Sequence, residues 1–277
     1  METSEEEEKR SEMAHYSTSN GPMAYRDRGE GTRDPVVLLH AFPLNSRMWE
    51  PQAEALAGER RVVTPDYPGF GRSPRTPAQP DVRYYAEGIL GLLDRLDLDR
   101  VVFGGISMGG YVAFECLRLF PERISGLVLA NTRPDPDSRE MREGRKEMAH
   151  RVSLEGVEVL IELMMPRLLS EETHKNSPVV VELVKTMILE SFPDGAVAAL
   201  GAMRDRPDST SLLKEIEVPT LVIGGEKDAI STPEVMGEMA GRIPDARHVT
   251  LAGAGHLSNL EDPEGFNGVL EEFLADL

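Results

Sequence analysis

Cysteine is almost absent from this chain: Cys116 is the only one among 277 residues. A single cysteine cannot form an internal disulfide, and zinc-binding motifs of the CxxC type are missing. The sequence therefore predicts no disulfide framework and no metal site, and a reducing, cytoplasmic location fits it. Because free cysteine commonly packs as a small apolar side chain, we expect Cys116 to be a buried structural residue.

Basic residues are scarce, and no stretch stays apolar for long. The chain has 30 Lys and Arg against 48 Asp and Glu, a formal net charge of −18. Nucleic-acid binding needs a basic face, so we expect no nucleic-acid partner. No window approaches the ~18 consecutive apolar residues of a membrane helix, and the first residues lack the apolar region of a signal peptide. We therefore expect no membrane association.

The first residues, METSEEEEKRSEMAHYSTSN, carry an acidic run and almost no apolar periodicity. This composition is typical of disordered segments, which cannot bury enough apolar surface to offset the entropy of ordering. We predict a disordered acidic tail over residues 1–21.

What the chain does contain is an alternation of short apolar runs and longer amphipathic stretches. The segments 111–121 and 264–277 have apolar residues at helical spacing, and a more polar run at 23–31 predicts an edge strand. The apolar runs predicted as buried strands are 35–40, 60–65, 100–105, 126–131, 219–225 and 246–251. This rhythm predicts an α/β fold, a doubly wound and mostly parallel sheet covered by helices on both faces.

The alternation stops between residues 134 and 212, where successive stretches all have helical periodicity and are bounded by Pro, Gly and Ser. We predict that residues 134–212 form an inserted helical cap over the carboxyl edge of the sheet. Residues 22–133 and 213–277 would then form the core.

One serine stands among glycines directly after a predicted strand. In GGISMGGYVAF (104–114), Ser107 lies at the centre of a GxSxG sequence between the strand RVVF and a predicted helix. Such a strand–turn–helix exposes the serine hydroxyl at the top of the sheet, and small residues are needed where strand and helix pass closely. This context favours a nucleophile over a structural turn.

A serine hydroxyl needs a base to take its proton and a third group to orient that base. Asp228 follows the predicted strand TLVIGG, and His256 follows the last predicted strand, which gives the chain order Ser, Asp, His. His248 is a rival base, but it falls inside a predicted strand. Asp135, soon after GLVLAN, is the credible rival acid.

The oxyanion formed by attack on a carbonyl needs preorganised donors, commonly backbone N–H groups. Met108, directly after the nucleophile, and Phe42, in the loop HAFPLNSRMW, are the predicted donors. His40, at the start of that loop, is placed beside the substrate pocket, where it is expected to shape the loop through hydrogen bonds.

Five motifs in order, HAFP, DYPGFGRS, GISMGG, GEKD and GAGH, resemble those of the α/β-hydrolase superfamily from about residue 22 onward. The surrounding stretches are most similar to small carboxylesterases near 3-oxoadipate enol-lactonase and pimeloyl-carrier-protein methyl esterase. The resemblance implies a sheet of about eight strands, a helical cap and a Ser107, His256, Asp228 triad. Ala41 departs from the glycine usual in the family, and its methyl group would narrow the pocket without removing a donor.

The activity that the resemblance implies is hydrolysis of small or medium-chain carboxylic esters through an acyl-enzyme, without metal or organic cofactor. Its substrate would be a small-molecule ester or lactone. Met164 and Met165 could form an apolar ceiling for the acyl chain, or simply pack as core residues. Arg133 could pair with a substrate carboxylate, or form a surface ion pair.

Other activities remain open because triad residues alone do not fix the bond that is broken. The alternatives are an enol-lactonase-like lactonase, a cofactor-free perhydrolase or haloperoxidase, and hydrolysis of carbon–carbon or amide bonds. A ligand-binding protein of the same scaffold, with little turnover, is a further class.

Overall fold

The computed structural model describes residues 14–18, 21–74 and 79–277. These residues form one sheet of eight strands. The strands are β1 (Ala14–Thr18), β2 (Gly21–Arg28), β3 (Val36–Leu39), β4 (Val62–Pro65), β5 (Val101–Ile106), β6 (Ile124–Ala130), β7 (Thr220–Gly225) and β8 (Ala246–Leu251).

Helices flank the sheet and fill the interval between β6 and β7. The helices are α1 (Glu50–Leu56), α2 (Val82–Arg95), α3 (Met108–Leu119), α4 (Arg139–Glu155), α5 (Val159–Leu168), α6 (Glu171–Asn176), α7 (Pro178–Leu189), α8 (Pro193–Arg204), α9 (Pro233–Ala240), α10 (Ser258–Glu261) and α11 (Pro263–Ala275). Among the described residues, none of these helices is both long and apolar enough to cross a membrane.

The strand order is β1-β2-β4-β3-β5-β6-β7-β8. Pairing is parallel from β4 through β8, whereas β2 is antiparallel to both of its neighbours. The predicted α/β fold, with a mostly parallel sheet of about eight strands and an inserted helical segment, is confirmed. Because parallel strands share a direction, the loops after β3, β5, β6, β7 and β8 all emerge at the same edge of the sheet.

The predicted disordered tail is wrong for part of its length. Ala14–Thr18 pairs with β2 as the edge strand, so the run predicted at 23–31 as an edge strand lies one position inside the sheet. A strand that gains its backbone hydrogen bonds from a neighbour does not need the apolar periodicity that the tail lacks. Residues 1–13 and 19–20 of the predicted tail lie outside the described residues.

Burial accounts for the central strands, and capping residues account for where two of the helices begin. Every residue of β3, β4, β5 and β7 is buried, as expected for parallel strands covered on both faces. Asp81 begins α2 by accepting a hydrogen bond from the Tyr84 N–H, and Ser138 begins α4 in the same way with Met141. Cys116 is buried within α3, as predicted.

Candidate active site

Ser107 occupies a strained turn between β5 and α3. Its φ of 54° and ψ of −114° lie in a region that residues with a side chain rarely adopt. A side chain at Gly105 would bring its Cβ to 2.4 Å from the Gly109 carbonyl carbon, and one at Gly109 to 2.1 Å from the Leu39 carbonyl oxygen. Strand and helix therefore approach closely enough to hold Ser107 in this conformation.

Asp228 and His256, predicted as partners, lie in direct contact. His256 Nδ1 is 2.9 Å from Asp228 Oδ2 and 3.0 Å from Oδ1. A hydrogen bond from Nδ1–H to the carboxylate leaves Nε2 as the nitrogen that can accept a proton. His256 is 1% exposed and Asp228 is 3% exposed, so water screens this pair little. Two loops that are far apart in sequence thus combine into one acid–base unit.

The Asp228 carboxylate is fixed by more than the imidazole. Its Oδ1 accepts hydrogen bonds from the N–H groups of Ile230, at 2.7 Å, and Ser231, at 3.0 Å. Burial alone would raise the pKa of Asp228, but its interactions with His256, Asn131 and Ser231 outweigh burial and lower it. Asp228 is therefore an anion suited to orienting His256 and stabilising its protonated form.

Asn131 was not predicted from the sequence, although it touches both catalytic loops. It directly follows β6 with a φ of 44°, and its Nδ2 donates to Asp228 Oδ2 at 2.9 Å and to the Gly255 carbonyl at 3.2 Å. Ser258 Oγ donates to Asn131 Oδ1 at 2.6 Å. The only sequence signal is its position at the carboxyl end of a buried strand, directly beside β7.

The predicted oxyanion donors follow neighbouring strands. Leu39 of β3 pairs in register with Gly105 of β5, so the loop bearing Phe42 emerges next to the turn bearing Met108. Met108 is the first residue of α3, whose N–H has no acceptor within the helix. The Phe42 N–H has no acceptor among the described residues. Both residues are buried, and their role as oxyanion donors stays a prediction.

His40 supports the oxyanion loop from inside the core. Its Nε2 accepts from the Tyr67 N–H, and its Nδ1 donates to the Ala41 carbonyl, both at 3.0 Å. Burial lowers the pKa of His40 to about 4, against smaller opposing effects of Asp66 and the Ala41 carbonyl. His40 thus shapes this loop through hydrogen bonds, as expected, and its place beside a substrate pocket stays a prediction.

Arg133, predicted either to pair with a substrate carboxylate or to form a surface ion pair, is bonded to an aspartate. Its guanidinium already pairs with Asp135 through two contacts, Nε to Oδ1 at 3.0 Å and Nη2 to Oδ2 at 2.5 Å. The surface ion pair, the alternative that the sequence left open, is the arrangement found. The same pairing removes Asp135 as a rival to Asp228.

The remaining predicted residues lie in the cap or on the surface. Met165 is 4% exposed within the apolar core, and Met164 packs against that core at partial exposure. His248, the rival base, is exposed on β8. His256 is therefore the histidine that pairs with a buried carboxylate at the carboxyl edge.

A buried ionic cluster lies between the cap and α3, the helix that follows Ser107. Asp137 bonds to both Arg145 and Arg206, and the Arg206 guanidinium lies 4.1 Å from the centre of the Tyr111 ring on α3. Burial would raise the pKa of Asp137, but the two arginines outweigh it and lower the pKa. The cluster fixes the beginning of the cap against α3.

The far end of the cap contacts the oxyanion loop. Ser191 Oγ donates to the Pro43 carbonyl at 2.8 Å, and Asn45 Nδ2 donates to Glu190 Oε2 at 2.8 Å. The helical insertion is thus bonded to the loop that carries Phe42, as well as packed on α3.

Comparisons with known proteins agree with this arrangement. Residues 36–269 match the profile of the alpha/beta hydrolase family. A thermophilic esterase from Thermogutta terrifontis, solved with malate bound, is 41% identical, with a TM-score of 0.91 over 96% of this chain and 98% of that one. The enol-lactonase from Burkholderia xenovorans LB400 is 29% identical, with a TM-score of 0.89 over 95% of this chain and 100% of that one.

A longer curated relative is the dihydrolipoyllysine-residue acetyltransferase component of the acetoin cleaving system of Pseudomonas putida. It is 30% identical over 252 residues, which cover 89% of this chain but 64% of that protein. This chain therefore spans less than two thirds of that relative. The profile match extends over most of the sequence and over both halves of the sheet, so the chain belongs to the alpha/beta hydrolase family and is a hydrolase.

Proposed function

We propose that this protein is a serine carboxylic-ester hydrolase for small or medium-chain esters. Ser107 is the nucleophile, His256 the general base and Asp228 the residue that orients it. The observation that carries this proposal is the buried contact of His256 Nδ1 with both Asp228 oxygens, at 2.9 and 3.0 Å. A base oriented in this way is what a serine hydroxyl needs to attack a carbonyl carbon.

Acylation begins when Ser107 Oγ attacks the ester carbonyl carbon and its proton passes to His256 Nε2. The carbonyl π electrons move to the oxygen, and the resulting oxyanion accepts hydrogen bonds from the Met108 and Phe42 N–H groups. The tetrahedral intermediate then expels the alkoxide as the carbon–oxygen bond breaks. His256 gives its proton to this leaving group, which departs as the alcohol.

Deacylation repeats the same steps with water. His256 removes a proton from water as its oxygen attacks the acyl carbon, and the same N–H groups hold the second oxyanion. Breakdown releases the carboxylic acid and returns the proton to Ser107. This chemistry requires water and these side chains, with no metal or organic cofactor.

Substrate size follows from burial and from the cap. Ser107 is 9% exposed and His256 is 1% exposed, so a substrate must enter between the cap and the sheet edge. Met164 and Met165 pack in or against the apolar core, so their role as a ceiling over the acyl chain stays a prediction. The similarity to a thermophilic esterase favours the same class of substrate.

Initial rates on a series of p-nitrophenyl esters, from acetate to decanoate, test this proposal, with Ser107→Ala as the blank. We expect turnover that peaks at short or medium acyl chains and disappears in Ser107→Ala. The matched control is Ser153→Ala, since Ser153 is exposed on α4 and bonds only to the Ala149 carbonyl. Equal turnover in Ser107→Ala and the wild type would contradict the proposal.

A lactonase is the second candidate, favoured by the similarity to the Burkholderia xenovorans enol-lactonase. Because Arg133 is already paired with Asp135, neutral lactones suit this site better than lactones that carry a carboxylate. Initial rates on an unsubstituted lactone and on its carboxylate-bearing analogue separate these classes. Peroxide competition with water for the acyl-enzyme would identify the perhydrolase alternative.

A further inference from the structure

Glu261 joins the catalytic histidine loop to the cap. It ends α10, five residues after His256, and its carboxylate turns back toward that loop. Its Oε1 accepts the Gly255 N–H at 3.0 Å. Its Oε2 accepts the Ser170 N–H and the Thr173 hydroxyl, both at 2.8 Å. One carboxylate thus bonds to the residue before His256 and to two residues of the cap.

A second bond ties the other side of His256 to the same part of the cap. The Leu257 N–H donates to the Leu168 carbonyl at 3.1 Å. The residues on both sides of His256 are therefore attached, directly or through Glu261, to the stretch 168–173 that joins α5 to α6. The imidazole cannot keep its place if this stretch moves away.

The approach of the two backbones is too close to be incidental. A Cβ at Gly255 would lie 2.7 Å from the Ser170 nitrogen and 2.8 Å from Glu261 Oε1, so any side chain there would push the cap away from the loop. The three donors to Glu261 are neutral, and hydrogen bonds to a charged acceptor are roughly twice as strong as those between neutral groups.

We propose that Glu261 is a positioning residue for His256, which holds the imidazole in its productive orientation only while the cap is seated. The inference rests on the proposed function, in which His256 is the base. Loss of the carboxylate would leave Asp228 bound to His256 but free the loop on the opposite side. A displacement of about 1 Å at a catalytic group can lower the rate by on the order of 100-fold.

Glu261→Gln is the sharpest test because it keeps the size of the side chain. The glutamine amide has one acceptor oxygen, so its NH₂ group must face the N–H of either Gly255 or Ser170, each of which now donates a hydrogen bond to the carboxylate. We expect kcat on the preferred p-nitrophenyl ester to fall on the order of 10- to 100-fold with KM within about twofold, since the acyl pocket is unchanged. The rate at which phenylmethylsulfonyl fluoride labels Ser107 should fall in parallel.

The matched control is Glu226→Gln. Glu226 also accepts an N–H from this loop, that of Gly253 at 2.9 Å, but it is exposed and makes this contact away from the cap. We expect kcat, KM and the labelling rate to stay at wild-type values. Thr173→Val removes one cap-side donor to Glu261, together with the contact of the Thr173 hydroxyl with Ser170 Oγ. It should lower kcat about two- to fivefold, as expected for the loss of about one net hydrogen bond. If the Glu261 variants do not fold, Thr173→Val still tests whether the cap positions His256.

A spectroscopic readout separates positioning from stability. The low-field proton resonance of His256 Nδ1–H reports its bond to Asp228, whether or not the protein hydrolyses esters. The proposal predicts that this resonance shifts or broadens in Glu261→Gln and stays unchanged in Glu226→Gln. A lower melting temperature with unchanged kcat and resonance would overturn it. Absence of Ser107-dependent turnover in the wild type would instead reject the proposed function, while the resonance still tests the coupling.

Discussion

The core and the cap are held in place by different interactions. In the core, β3, β4, β5 and β7 are buried along their whole length. In the cap, α4 (Arg139–Glu155), described over its whole length, buries Val152 alone among 17 residues. Apolar burial fixes the strands that carry Ser107, Asp228 and His256. The later cap helices α5, α7 and α8 also bury apolar residues, so within the cap it is α4 that depends most on polar contacts.

The residues proposed for catalysis belong to the core, whereas the cap covers them. Ser107, Asp228 and His256 follow strands of the core, so their mutual positions depend on the packed sheet. Polar bonds between the cap and the core include those of Glu190, Ser191 and Glu261. The buried Asp137 cluster braces the beginning of the cap, and its Arg206 lies against Tyr111. Substitutions of the core residues Ser107, Asp228 and His256 should therefore change the rate of the chemical step. Substitutions at the bonds between cap and core should change the unfolding free energy or the position of His256.

Asp228→Asn, in the core, should cause the largest loss of activity. The amide NH₂ can donate a hydrogen bond to His256 Nδ1, which favours the wrong imidazole tautomer, and the substitution removes the charge that stabilises the protonated imidazole. We expect kcat/KM to fall by about 10³- to 10⁴-fold with little change in melting temperature. Steady-state kinetics and thermal unfolding measure both, and a loss below tenfold would show that another acid orients His256.

Asp137→Asn tests the buried ionic cluster within the cap, whose Arg206 lies against Tyr111 of α3. The change leaves Arg206, whose side chain is 3% exposed, without its buried counter-charge. Breaking a buried ion pair in this way costs about 3–5 kcal/mol of unfolding free energy. Denaturant unfolding gives this value. Asp205→Asn, at an exposed ion pair with Arg142, is the matched control and should cost less than about 1 kcal/mol. Equal effects in the two variants would contradict the proposed difference.

His40 gives the core a dependence on pH. Its pKa is about 4 in the folded protein, against an ordinary value of 6.5, so between these values the unfolded chain binds a proton that the folded chain does not. The unfolding free energy should be constant above about pH 6.5 and fall as pH drops toward 4, by about 3 kcal/mol at 1.36 kcal/mol per pH unit. The lowered pKa values of Asp228 and Asp137 add to this loss only at the acid end.

Urea unfolding at pH 7.5, 6.5, 5.5 and 5.0 measures this dependence. His40→Gln should flatten it, because the variant side chain does not titrate. His248→Gln, at an exposed histidine, should leave most of it in place. A slope that persists in His40→Gln would assign the dependence to another group.

Glu190→Gln should produce the smallest effect. Glu190 bonds to Asn45 and to Arg47 Nη1, the latter at 2.7 Å, but the Arg47 and Glu190 side chains are 37% and 39% exposed. Exposed ion pairs contribute about 0–1 kcal/mol, so we expect a change in unfolding free energy below about 1 kcal/mol. A loss above 2 kcal/mol in urea unfolding would place this contact with the buried cluster at Asp137 instead.

The sequence predicts the parts of this molecule that depend on local pattern. Apolar runs predict six strands, and the strand–turn–helix context around Ser107 predicts the turn that the structure shows. Asp228 and His256 follow from their places after strands, and the structure brings them into contact. These features need only a few neighbouring residues to be visible.

The features that escape the sequence depend on contacts between distant segments. Ala14–Thr18 forms a strand because β2 lies beside it, which its acidic surroundings do not indicate. Asn131 and Glu261 gain their roles because β6 lies beside β7 and the cap returns to the histidine loop. The sequence leaves two partners open for Arg133, because it does not show that Asp135 holds its guanidinium.

The most direct test of the central claim is covalent labelling of Ser107 by a fluorophosphonate, followed by peptide mass mapping. We expect one adduct, on Ser107. It should form rapidly in the wild type and in Ser153→Ala, and at a strongly reduced rate in His256→Ala. An adduct elsewhere, or the same labelling rate in His256→Ala as in the wild type, would contradict the claim that the His256–Asp228 pair activates Ser107.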